Sequence, residues 1–284
     1  MQHHLRGRRA VALALAGLVM STLGACGSGA ESPAPAPAPA GSGGGSLTIA
    51  VPVDEPGLGV RTGDTYSGFE VDTATYVAAA LGVPAANITW REARPTNREQ
   101  LLTSGEVDLV FSTYSITEER KQQVDFAGPY FVAHQDLLVR RNDEEVIGPE
   151  NLNGRRLCSV PGTTSAQLLR DRYRNRITLQ EYPQYSDCVA ALAKGDVDAV
   201  STDDVILAGY AAQPQYKGRL RVVGDGFSDE TYGVGVRKGD AAMVDKVNQA
   251  LTAYIDDGSW ERSLKRQVGP SGYAIPDPPK PGSA

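Results

Sequence analysis

Apolar and polar positions along the chain fall into two similar units. Each reads as a β-branched run, a polar bend, a short helix, a glycine stop and a second β-branched run. The first opens at Ile88-Thr89-Trp90, predicts a helix over 99–104 and closes with Gly105-Glu106-Val107-Asp108-Leu109-Val110. The second opens at Ile177-Thr178-Leu179, predicts a helix over 187–194 and closes with Gly195-Asp196-Val197-Asp198-Ala199-Val200. Strand, helix and strand in that order predict a parallel sheet with crossover helices, and two copies predict two α/β lobes facing one cleft. In such sheets ligands sit at the carboxyl ends of the strands. Those ends are Ser112-Thr113-Tyr114-Ser115 and Ser201-Thr202-Asp203-Asp204, expected to form opposite walls of one site.

Further elements follow from the same pattern. A strand over 47–53 runs into Asp54-Glu55-Pro56-Gly57-Leu58-Gly59, where two glycines and a proline predict an irregular loop. Val71, Ala74, Ala78 and Leu81 recur at helical spacing before Gly82, which predicts a helix packed on the first sheet. A strand over 157–160 begins the second lobe. Pro161-Gly162-Thr163-Thr164-Ser165 then leads into a helix over 166–174, either as an anion seat at a helix N-terminus or as plain capping. After a strand over 232–236, Val244, Val247, Leu251 and Tyr254 mark a helix that returns to the first lobe. Crossings near 139–142 and 232–236 predict a two-segment hinge. The first lobe is thus expected at 47–140 and 233–268, the second at 141–232, and a proline-rich, poorly ordered tail at 269–284.

The N-terminus changes the picture of where the chain works. Arg6, Arg8 and Arg9 precede an apolar run over 10–20, shorter than the roughly 20 residues that span a bilayer, so residues 1–25 read as an export signal. Leu23-Gly24-Ala25-Cys26 resembles a bacterial lipobox, which implies cleavage before Cys26, lipidation of its thiol and residence on the extracytoplasmic face of the cell membrane. Residues 26–46, rich in Ala-Pro pairs and Gly-Ser, read as a tether. Losing three arginines and no acids would move the net charge from -6 to -9, which argues against nucleic acid as a partner. Of three histidines only His134 survives cleavage, which weakens hydrolase and metal-site readings, and no metal or cofactor is expected. Cys158 and Cys188 form an even pair in an exported chain and are expected to be bridged, the alternative being two buried thiols.

Several motifs together resemble the extracytoplasmic solute-binding proteins of polar amino-acid ABC importers, over about 47–268. They are Tyr66-Ser67-Gly68-Phe69-Glu70-Val71-Asp72, the two Gly-acid-Val-Asp phrases, Tyr114-Ser115-Ile116-Thr117-Glu118-Glu119-Arg120 with Asp125-Phe126, and Gly162-Thr163-Thr164 with Asp203. The resemblance implies a type II periplasmic-binding-protein-like fold. It also implies a monomeric, lipid-anchored receptor, not an enzyme, that captures glutamate, glutamine, aspartate or asparagine for permease subunits in the membrane. A sensor for a membrane signalling protein, or a dehydratase or wall-active enzyme using a cleft acid, are the alternatives on this scaffold.

The resemblance carries the clamp for the ligand α-carboxylate to Arg120 and the acceptor of the α-ammonium to Asp203. Ser115 and Thr113 match contacts to the ligand's amino and carboxylate groups, and Thr163 and Thr164 match the carboxylate seat of the second lobe. A zwitterion shut between two lobes loses its water, and an unpaired buried charge costs several kcal/mol, so each end needs a charged partner. Arg supplies a planar fork that Lys cannot. Judged alone, Arg120 would pair with Glu118 or Asp125, and Asp203 would cap the following helix. Arg61 and Arg98 lie in loops expected either to face the cleft or to be solvated. Asp54 and Glu55 match a pocket-lining loop of the glutamate-type branch, yet two acids there would oppose a ligand carboxylate, which keeps glutamine and asparagine open.

Overall fold

The computed structural model describes residues 45–224 and 226–283. The export signal, Cys26 and nearly all of the tether lie outside the described residues. β1 (Leu47–Val51) is buried along almost its whole length, because it lies between two parallel partners in a sheet covered by helices. It leads into β2 (Asp54–Glu55), β3 (Gly59–Thr62) and β4 (Thr65–Ser67), a small antiparallel sheet in place of the expected irregular loop. The glycine that argued against a strand permits this one: a Cβ at Gly59 would come within 2.5 Å of Pro52.

α1 (Phe69–Ala80) buries Phe69, Val71, Ala74, Val77 and Ala78, as its apolar spacing predicts. β5 (Ile88–Glu92), α2 (Arg98–Thr103), β6 (Leu109–Val110) and the single-turn α3 (Glu118–Lys121) complete the first unit, with β5 and β6 both parallel to β1.

β7 (Val124–Arg140) is a single strand of 17 residues. The second unit follows as β8 (Arg156–Ser159), α4 (Thr164–Arg172), β9 (Thr178–Glu181), α5 (Tyr185–Lys194), β10 (Ala199–Asp203), α6 (Asp204–Ala211) and β11 (Leu220–Val222). β8 runs parallel to both β9 and β10. β12 (Asp229–Arg237), α7 (Ala241–Asp256) and α8 (Ser259–Gln267) return to the first half, where α7 and α8 pack on α1.

The crossings between the two halves lie earlier in the chain than expected. β7 pairs with β12 through His134 and with β10 from Gln135 onward, so the first crossing falls between those residues, ahead of 139–142. The second falls before Asp229, ahead of 232–236. A strand can exchange one partner for another without interrupting its own hydrogen bonding, so the apolar pattern carries no mark of the change. Cys158 on β8 and Cys188 on α5 are joined by a disulfide, with Cα atoms 5.5 Å apart.

The tail is ordered, contrary to expectation. Tyr273 packs on Phe131 with ring centroids 6.5 Å apart, its hydroxyl donates to Asp204 Oδ2 over 3.0 Å, and the Gly282 N–H donates to the Gly128 carbonyl over 2.8 Å. Tyr273 and Ile275 both lie against the main core. Prolines narrow the unfolded ensemble of this segment, so two apolar anchors fix it at lower entropic cost.

Candidate ligand-binding site

The first wall is built around Tyr114. Its ring is buried, with the Arg98 guanidinium 4.3 Å and the Arg120 guanidinium 5.1 Å from the centroid. Its hydroxyl donates to Glu99 Oε1 over 2.6 Å, and that oxygen lies 3.7 Å from Arg120 Nε. Arg120 Nη1 donates to the Ser115 carbonyl over 2.6 Å, while Thr117 caps the short α3 on which Arg120 stands. Arg98, the first residue of α2, is buried and donates to the carbonyls of Ser112 and Thr113 at 2.9 and 3.5 Å. One aromatic ring therefore orients two cations at the ends of the first sheet's strands.

Beneath this wall Glu70 is fully buried at the start of α1. Its two oxygens accept the Tyr130 hydroxyl at 2.9 and 2.7 Å, and Oε1 also accepts the Thr113 N–H at 3.0 Å. Thr113 sits at φ 43, a left-handed conformation unfavourable for a β-branched residue. The Glu70 contact helps hold it there.

The second wall is formed by the turn before α4 and the end of β10. Thr163 caps α4, accepting the Ala166 N–H at 3.0 Å, so the capping role is realised. Thr164 Oγ1 donates to Glu230 Oε2 over 2.9 Å, and Gln135 Nε2 donates to Glu230 Oε1 over 2.6 Å. Asp203 precedes α6 but makes no side-chain cap: its Oδ2 instead accepts the Tyr232 hydroxyl over 2.5 Å. The capping role foreseen for it is absent because the buried carboxyl is engaged by the Tyr232 hydroxyl of β12 instead.

The two walls touch. Arg120 Nη2 and Arg98 Nη2 donate to the Gly162 carbonyl at 3.0 and 3.4 Å. Asp54 Oδ2 accepts the Ser186 N–H at 2.9 Å, and the Asp54 carbonyl accepts the Tyr210 hydroxyl. At Gly209 the Pro56 carbonyl occupies the space a Cβ would need. A cavity of about 770 Å³ lies between the halves, lined by Arg120, Gln135, Gly162, Thr163, Thr164 and Glu230 among others. A much smaller one of about 30 Å³ is lined by Asp54, Glu55, Pro95, Val160 and Tyr185.

Burial sets the electrostatics. Burial, reinforced by nearby Glu230, pushes the Asp203 carboxyl up to about 8 despite the Tyr232 hydrogen bond. Burial pushes Glu70 up to about 7 against the hydrogen bonds from Tyr130 and Thr113. Burial and then neighbouring Glu70 raise Glu55 well above the usual carboxylate range. Burial and the adjacent Arg98 bring Arg120 down to about 10, which leaves it charged at neutral pH. Isolated charges in such a site are costly, and a ligand carrying both signs relieves both walls at once.

Of the residues singled out from sequence, Arg120, Arg98, Ser115, Thr113, Thr163, Asp203, Asp54 and Glu55 lie on or just behind the facing walls, and Thr164 reaches the larger cavity. Arg61 does not join them. It is exposed on β3, where Nε donates to the Gly63 carbonyl over 2.8 Å and Nη2 lies 3.5 Å from Asp64. The meander that replaced the expected loop turns this side chain to solvent. Glu70, Glu99, Glu230, Gln135 and Tyr232 were not foreseen at the site. Glu70 offered one signal, an acid inside the apolar run Phe69-Glu70-Val71, but acids are common in a first helical turn.

The profile of bacterial extracellular solute-binding proteins, family 3, matches residues 47–270. The chain is 41% identical to the glutamate-binding protein GluB of Corynebacterium glutamicum, over 93% of this chain and 90% of that one. It is 32% identical to the ABC transporter glutamine-binding protein GlnH of Bacillus subtilis, over 75% and 76%. Among solved structures, an ancestral arginine-binding protein bound to glutamine superposes with a TM-score of 0.73 at 31% identity, covering 79% of this chain and 98% of that one. The type II periplasmic-binding-protein-like fold expected from the sequence is thereby shown. Among the described residues no helix is long and apolar enough to cross a membrane.

Proposed function

Because the chain belongs to the bacterial extracellular solute-binding proteins of family 3, we propose that it captures a polar amino acid and delivers it to an ABC importer. The side chain of that ligand is acidic or amide, as in the names of the relatives GluB and GlnH. The observation that carries this reading is the pairing of a buried guanidinium, Arg120, with a buried carboxylate, Asp203, on opposite walls of one cleft. Arg120 binds the ligand α-carboxylate through its fork, helped by N–H groups at the start of α4. Asp203 takes the α-ammonium, which also relieves its own strained ionisation. A ligand bridging both walls favours the closed arrangement in proportion to its extra affinity for it, and the closed form is what a permease reads. The protein acts as a monomer held to the outer face of the membrane by a lipid on Cys26.

Calorimetric titration of all twenty amino acids against protein beginning near Gly45 tests the reading. Binding of glutamate, glutamine, aspartate or asparagine is expected. Absence of binding by every amino acid would overturn it. Loss of membrane association in a Cys26→Ala variant tests the anchor separately.

A further inference from the structure

Glu55 stands apart from the clamp. It is the second residue of β2 and only 4% exposed. Its Oε1 accepts the Thr113 hydroxyl at 3.3 Å, but its Oε2, fully enclosed, has no hydrogen-bond partner in the protein. Glu55 lines the small cavity between the two walls, beside Val160 and Tyr185 of the second half.

The groups around Glu55 do not suit a carboxylate. Asp54 adjoins it on the chain, Glu70 faces it from α1 and Asp203 from β10, all of which raise its proton affinity, and Arg98 of α2 alone opposes them. Arg98 directs its Nη donors to the carbonyls of Ser112, Thr113 and Gly162 instead. The phenols of Tyr130, Tyr185, Tyr210 and Tyr232 complete the surroundings, and burial keeps each of them neutral. A buried carboxyl with one cation and several other carboxyls near it takes the neutral form. A neutral carboxyl has an O–H to donate. With Thr113 donating to Oε1, that O–H belongs on Oε2, the atom lacking a partner.

We propose that Glu55 determines specificity: as a neutral acid it donates from Oε2 to an oxygen on the side chain of the bound amino acid. The proposal rests on the amino-acid-receptor reading and names the side-chain chemistry that reading leaves open. A side-chain carboxylate is accepted only while Glu55 keeps its proton, because two facing carboxylates repel. A side-chain amide is accepted in both states, since it can turn its NH2 toward an ionised Glu55. The cleft therefore prefers the acidic ligand at low pH and loses that preference as Glu55 ionises, which resolves the conflict between two acids in the loop and an acidic ligand.

The test is calorimetric titration of glutamate and of glutamine into wild type, Glu55→Gln and Glu55→Ala from pH 5.5 to 8.5, with thermal melts confirming that each variant folds. Asp203 and Glu70 titrate in all three proteins, so the ratio of the two affinities within one protein isolates Glu55. In wild type that ratio should fall by about tenfold per pH unit once Glu55 titrates. In Glu55→Gln, where an amide donor is permanent, the ratio should stay flat and glutamate affinity at pH 5.5 should lie within about threefold of wild type. Glu55→Ala should lose roughly tenfold or more for both ligands at pH 5.5. A ratio that falls alike in wild type and Glu55→Gln overturns the proposal, as does Glu55→Ala binding like wild type. Binding confined to amino acids without a side-chain oxygen overturns it too and leaves the receptor reading standing. Failure of wild type to bind any amino acid counts against the receptor reading itself.

Discussion

Arg120 of the first half donates to the carbonyl of Gly162 in the second over 3.0 Å. The residue proposed to clamp the ligand thus also latches the walls together. Gly162 has φ 83, and a Cβ there would come within 2.6 Å of the Pro95 carbonyl. Both its conformation and its close approach require glycine. Gly162→Ala should weaken ligand binding by about tenfold or more through hindered closure while the protein still folds, a result read by calorimetry beside a thermal melt.

Arg120→Ala should reduce affinity for any α-amino acid by at least about a hundredfold, since it leaves a ligand carboxylate buried without its partner. Arg120→Lys should recover only part of this, because an ammonium cannot present two parallel donors or lie flat on Tyr114. Near-wild-type affinity in the alanine variant would remove the clamp from this position.

Asp203 should make stability depend on pH in an unusual direction. Its folded-state value of about 8 lies above the ordinary aspartate value, so the folded protein holds this proton more tightly than the unfolded chain. Stability of the ligand-free protein should therefore fall as pH rises from about 4 to about 8, with the loss complete above that. Glu70, at about 7, adds a change of the same sign. Asp203→Asn should melt higher than wild type at pH 8, by a margin that shrinks toward pH 5, and should bind amino acids at least about tenfold more weakly.

Removal of the Cys158–Cys188 bridge by a double serine variant should cost about 3 to 4 kcal/mol on the chain-entropy model, given a sequence separation of 30. Denaturant titration of wild type and variant under oxidising conditions gives the difference directly.

Tyr273→Phe should destabilise the protein by about 1 kcal/mol, because Asp204 loses a hydroxyl donor in a largely buried setting. Truncation after Val268 should cost more, since it also uncovers Phe131 and the core beside it. Equal melting of the truncated and full-length proteins would mean that the packed tail contributes nothing.

Much of this architecture was legible before any coordinates. Strand and helix periodicities mark most elements to within a few residues, and the repeated Gly-acid-Val-Asp phrases mark where each sheet ends in a site. Arg61 and Arg98 show the limit. Both are arginines in segments that read as cleft loops, yet one is solvated beside Asp64 and the other is buried on Tyr114. Nothing adjacent in sequence separates them. The tail misled for a related reason: its proline content is a local property, while its order comes from distant Phe131, Asp204 and Gly128.

By itself the sequence determined what depends on near neighbours: the alternation of strand and helix, the two units, the positions of turns and caps, and the residue types available at each sheet's end. The tertiary structure alone decided which charges are buried together and in what state. Glu55 meets Thr113 across 58 residues of chain, and Glu70 meets Tyr130 across 60. Whether a carboxyl is solvated, paired or forced to keep its proton is set by such contacts, because desolvation and Coulomb forces act through space and take no account of order along the backbone.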